Sequence, residues 1–106
     1  MPAPPKPAAP DVPDVPENVV ADNNIPGKLL VTCDPAAGAS HYRFWKQAPG
    51  VDAGPVFAGS AQEPQFILEG LTPGVAVKEF VSAVNAEGGE TRRSAPGEGA
   101  PVALAA

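Results

Sequence analysis

Lys28-Leu29-Leu30-Val31-Thr32-Cys33-Asp34-Pro35, followed by Gly38-Ala39-Ser40-His41-Tyr42-Arg43-Phe44-Trp45-Lys46, is the stretch that decides the fold. In residues 28–33, Leu29, Val31 and Cys33 alternate with Lys28, Leu30 and Thr32, the two-residue period of a strand with one buried face. In residues 41–46, Tyr42 and Phe44 share one face while Arg43 and Trp45 share the other. This segment is rich in aromatic side chains, which favour a pleated surface. Residues 34–40 between them hold Pro, Gly and Ser and read as a loop.

The same alternation of strand and turn continues outward. Upstream, residues 18–21 read as a short first strand and residues 22–27 as a turn. Downstream, residues 47–54 are a turn region and residues 55–58 a weak edge strand. Gln65–Leu68 is a strand, residues 72–74 a turn, residues 75–85 a longer strand and residues 86–89 another turn. Residues 101–104 are expected to form the last strand. No segment sustains a helical period with caps. Seven short strands separated by turn signals predict an all-β sandwich or barrel.

Composition agrees with one small domain. The chain has 106 residues, 43% of them hydrophobic, with 11 Gly and 15 Pro. A chain of this length holds one core. Its seven basic residues are scattered within a net charge of -5, so nucleic acid is not an expected partner. Cys33 is the single cysteine, so no internal disulfide can form, and its phase with Leu29 and Val31 makes it a core residue. The opening residues have no apolar run of the secretory kind, and no stretch is long and apolar enough to insert in a membrane.

The first residues differ in character. Seven of the 15 prolines lie at positions 2 to 16, and from Pro4 one recurs at every third residue: Pro7, Pro10, Pro13 and Pro16. A polyproline II helix has three residues per turn, so these prolines would share one edge. Asp11, Asp14 and Glu17 would share a second edge, and Val12 and Val15 a third. Residues 1–15 are therefore expected to form an extended arm ahead of a domain spanning residues 16–106. The arm is either a solvated tether or a docking element that lays its Pro or Val edge on a neighbour. Over residues 4–16 it could reach on the order of 37 Å at about 3.1 Å per residue.

Taken in order, the segments resemble a fibronectin type III domain over residues 16–104. The family's early Pro and Asn are matched by Pro16 and Asn18. Its Leu-x-Val-x-Trp-x-Pro strand corresponds to Leu29, Val31, Cys33 and Pro35, and its Tyr-Arg-Val strand to Tyr42, Arg43 and Phe44. Its Leu-x-Pro-Gly turn is present as Leu71-Thr72-Pro73-Gly74, and its Ala-Val-Asn ending as Ala83-Val84-Asn85, followed by Gly89-Glu90. The resemblance implies a seven-stranded immunoglobulin-like sandwich and a module that binds or supports rather than catalyses.

Three residues depart from the family's pattern. Cys33 replaces a core Trp, so Phe44 or Phe66 must fill the vacated volume. Val77 replaces the tyrosine of the corner motif. Glu79 falls at an inward position, where an unpaired carboxylate is costly. Either a bulge near Lys78 turns it outward, or it sits at the rim of the core. The inward phase of Val77, Val81 and Ala83 favours the strand keeping its register.

No residue set suggests catalysis. His41 is the single histidine and pairs with no evident nucleophile, and no His, Cys or carboxylate cluster has metal-ligand spacing. Neither cofactor nor metal is expected. What remains is surface. In the implied sandwich, Arg43 and Trp45 would face outward beside Lys78, Phe80 and Ser82. Trp45 and Phe80 are either an exposed aromatic patch, which marks an interaction surface, or covered by loops or by the arm. The candidate partner-binding residues are thus Pro7, Pro10, Val12, Pro13, Val15, Arg43, Trp45 and Phe80.

Three settings fit these features. One is a structural or protein-binding module decorating a cell surface or a virion, which the family resemblance and a small chain opening at Met1 with a stiff arm favour. Another is a spacer in a secreted carbohydrate-active enzyme. The third is a Pro-rich ligand of SH3-type domains, for which Lys6 alone supplies a flanking charge.

Overall fold

The computed structural model describes residues 12–103. Seven strands follow one another: β1 (Val20–Asp22), β2 (Leu29–Thr32), β3 (His41–Gln47), β4 (Val56–Ala61), β5 (Gln65–Leu68), β6 (Val77–Val84) and β7 (Gly97–Gly99). They form a three-stranded sheet in the order β1-β2-β5 and a four-stranded sheet in the order β4-β3-β6-β7. Neighbours within each sheet are antiparallel. There is no helix among the described residues. The expected seven-stranded sandwich is the observed architecture.

The alternation in the sequence explains the core. Leu29, Val31 and Cys33 from the smaller sheet meet Tyr42, Phe44, Val81 and Ala83 from the larger one. Phe66 packs on this cluster and stacks on Phe44, with ring centroids 5.2 Å apart. Together these rings occupy the region that lacks the family's tryptophan. The Ala36 N–H donates to the Tyr42 hydroxyl at 3.0 Å, tying the 34–40 loop to the core.

Two expectations are corrected. The last strand is Gly97–Gly99, not residues 101–104; Pro101 is buried outside any strand and Leu104 lies beyond the described residues. Gly97 and Gly99 press against β1, where an added Cβ would stand 2.6 Å from the Val19 carbonyl oxygen and 2.8 Å from the Ala21 Cβ. A strand selected for the lack of side chains has no hydrophobic pattern to read. The alternatives for Glu79 also fail. β6 pairs with β3 and β7 in continuous register around it, and Glu79 is 0% exposed, so it is neither bulged outward nor at the rim. The irregularity lies instead between β3 and β4, at the Phe44/Trp45 step, where Ala58 is the extra residue.

Candidate functional site

The outer face of the four-stranded sheet gathers most of the candidate side chains. Trp45 on β3 stands opposite Phe57 on β4 and Phe80 on β6, so three aromatic residues form a row across three strands. One position pair along, Arg43 faces Ser82. Trp45 and Phe80 are half-buried, whereas Phe57 is 45% exposed.

The cover over Trp45 is cationic. The Arg43 guanidinium lies 5.4 Å from the Trp45 ring centroid and 4.6 Å from that of Phe57. The Arg93 guanidinium lies 5.0 Å from the Trp45 centroid. Such stacking draws on the negative face of the ring and leaves the in-plane N–H groups free to bond elsewhere. Trp45 and Phe57 meet edge to face at 5.3 Å.

Residues 90–94 bring Arg93 into place. The Thr91 N–H donates to the Ala83 carbonyl, and the Ser94 N–H to that of Val81. In return the Val81 N–H donates to Ser94 Oγ, and the Ala83 N–H to Thr91 Oγ1. Two hydroxyls thus complete the β6 edge where no strand pairs with it. Glu90, at the start of this segment, accepts from Arg43 at 2.9 Å and from Ser82 Oγ at 2.7 Å. The Trp45 indole N–H donates to Ser82 Oγ at 3.4 Å. Arg43 is therefore neutralised within the chain, while Arg93 pairs with no carboxylate among the described residues.

The sequence placed Arg43, Trp45 and Phe80 on one face, and the structure brings them together. It did not single out Phe57, Glu90 or Arg93. The available signal was Arg92-Arg93, the one place where two basic residues are adjacent.

The arm residues lie elsewhere. Pro7 and Pro10 are outside the described residues. Pro13 is buried against the 34–40 loop, with the Asp14 N–H donating to the Ala37 carbonyl at 3.2 Å. Pro13 and Pro16 are both buried, so contact with the sandwich begins upstream of residue 16. Val12 is exposed, and Val15 borders a cleft shared with Glu17, Arg92 and Pro96. Among the described residues no group of His, Cys, Asp or Glu is arranged to hold a metal ion. The His41 Nδ1 lies 3.0 Å from Ser40 Oγ.

No family model and no curated protein matches the sequence. Solved structures do. A fibronectin-type-III-like protein from Clostridium thermocellum is similar at 20% identity with a TM-score of 0.73, over 91% of this chain and 100% of that one. The FN5 domain of Drosophila Lar is similar at 22% identity and a TM-score of 0.66, over 88% and 100%. A structure of titin kinase and its flanking domains is similar at 22% identity and a TM-score of 0.72, over 86% of this chain but only 17% of that one. Strand order, core and these likenesses agree: the chain has the fibronectin type III fold.

Proposed function

We propose that the chain is a non-catalytic structural or protein-binding module that meets its partner on the outer face of the four-stranded sheet. The observation that carries this reading is Arg93, which lies over Trp45 and pairs with no carboxylate among the described residues, beside an Arg43 that has one. A guanidinium held over an indole has lost part of its rotamer freedom, which favours taking a carboxylate. The exposed Phe57 ring next to it supplies apolar area. The partner in this reading is a protein surface that presents an acidic side chain beside an apolar one.

Residues 1–15 are proposed as an extended arm that leads from this domain into a larger assembly, such as a cell surface or virion. The proline period and the exposure of Val12 support an arm, and the contacts at Pro13 would fix the direction in which it leaves the domain.

The test compares capture of a partner from the native assembly by the full chain, by a chain lacking residues 1–15, and by Arg93→Glu and Trp45→Ala. Loss of capture with either substitution in a folded protein supports the sheet face. Equal capture by all four contradicts it.

A further inference from the structure

Glu79 is the most unusual side chain in the interior. It is 0% exposed, and among the described residues neither carboxyl oxygen accepts a hydrogen bond from another residue, its own backbone N–H being the one polar group near enough to favour the charge. Val77 and Val81, its neighbours on the same face of β6, are fully buried. Its register partners are Lys46 on β3 and Gly97 on β7.

No cation among the described residues compensates it. The Lys46 ammonium is bound to Asp52 at 2.9 Å. Arg43, also on β3, is bound to Glu90 on the outer face, and Lys78 is exposed beside it on β6. On β7 the nearest ionisable group is Glu98, of like charge. In the opposite sheet Lys28 and Glu69 pair with each other at 3.0 Å, and Asp22 accepts from Asn24. An ionised carboxylate could not persist in such a place without access to water.

We propose that Glu79 is a pH-sensitive latch on the closing strand: as a neutral acid it lets Gly97–Gly99 stay docked, and loss of its proton releases that strand. The exit lies on the β7 side for a structural reason. β3 holds β6 along the full length of seven residues, whereas β7 spans three residues, two of them glycine. Gly97, directly opposite Glu79, packs on Val19 through its backbone alone. Moving β7 aside would bring the carboxylate to water with the loss of three paired positions, whereas moving β3 would break seven.

The direction with pH follows from the two states. Burial first, and then the charge of Glu98, push the Glu79 carboxyl up to about 8 in the closed state. In the open state it returns to the ordinary carboxyl range, near 4.5. The closed form therefore holds the proton more tightly, and its advantage falls as pH rises between these values. Below the ordinary range and above about 8 the dependence on pH levels off.

Amide hydrogen exchange at Gly97, Glu98 and Gly99, divided by the intrinsic exchange rate at each pH, tests the latch. In the wild type the opening constant should rise about tenfold per pH unit from mildly acidic to neutral pH. In Glu79→Gln it should not vary with pH. A flat wild-type profile overturns the proposal, as does a rise shared equally by β2 and β3, which would report global unfolding. Should Glu79→Gln fail to fold, the carbon chemical shift of the Glu79 carboxyl in the wild type decides. A midpoint near 8 supports the latch and one in the ordinary carboxyl range overturns it.

Discussion

The ring of Phe66 from β5 stacks on the ring of Phe44 from β3, with planes 16° apart, and so joins the two sheets across the interior. Phe44 is fully buried, while Phe66 lies partly at the edge over the backbone of Gly59. Removing either ring leaves a void, because no tryptophan stands on β2 to fill it. Phe44→Ala should cost about 3–5 kcal/mol of folding stability and Phe66→Ala less. Chemical denaturation of the two variants gives both values; equal costs would mean that Phe66 is not at the edge.

Cys33 belongs to the same cluster, and its environment determines its reactivity. Burial, and secondarily the charge of Asp34, push the thiol up to about 11. On the order of one molecule in a thousand then carries a thiolate at pH 8. A disulfide reagent should label the native protein far more slowly than the denatured protein at that pH. Equal rates would place Cys33 at the surface.

The glycines of β7 hold the sheets close together. Gly97→Ala would force its Cβ onto the Val19 carbonyl oxygen and Cγ1, and backbone cannot move aside as a flexible side chain can. The expected loss is about 1–3 kcal/mol. Gly54→Ala, with nothing within 4 Å of its added Cβ, is the control and should leave the midpoint nearly unchanged.

Much of this architecture was legible in the sequence because it follows from alternation. Leu29, Val31, Tyr42 and Phe44 announce which face is buried, and Val77, Val81 and Ala83 fix the register that drives Glu79 inward. β7 was illegible because its residues are chosen by the distance between sheets rather than by hydrophobicity. β4 was seen too short for a related reason: Gly59 and Ser60 have low strand propensity but sit under Phe66 and opposite Arg43. The aromatic row could be read from strand phase. Its cover could not, because Arg93 arrives from a loop distant in sequence and is placed by the Thr91 and Ser94 hydroxyls.

The turn after β3 should respond to acid. Asp52 accepts first from the Ala48 N–H, at 2.8 Å, and also from Lys46, and these bonds hold its carboxyl below the usual range. A lowered value stabilises the turn above the ordinary carboxyl range, and that stability is lost as pH falls through the native value. Exchange of the Ala48 amide, corrected for its intrinsic rate, should therefore accelerate in acid. In Asp52→Asn it should be faster than wild type at neutral pH and lack that acid transition. Identical profiles would show that this carboxylate does not hold the turn.

The outer face of the four-stranded sheet is the proposed contact surface, and Trp45 reports on it directly because the chain has a single tryptophan. Collisional quenching of Trp45 fluorescence by acrylamide, measured in the free chain and again in its native assembly, is the most direct test. In the free chain the half-buried ring should be quenched to an intermediate degree. In the assembly the quenching constant should fall severalfold, and Arg93→Glu should restore the free value by preventing docking. A Trp45 equally accessible in both states, in an intact assembly, would contradict the assignment of this face.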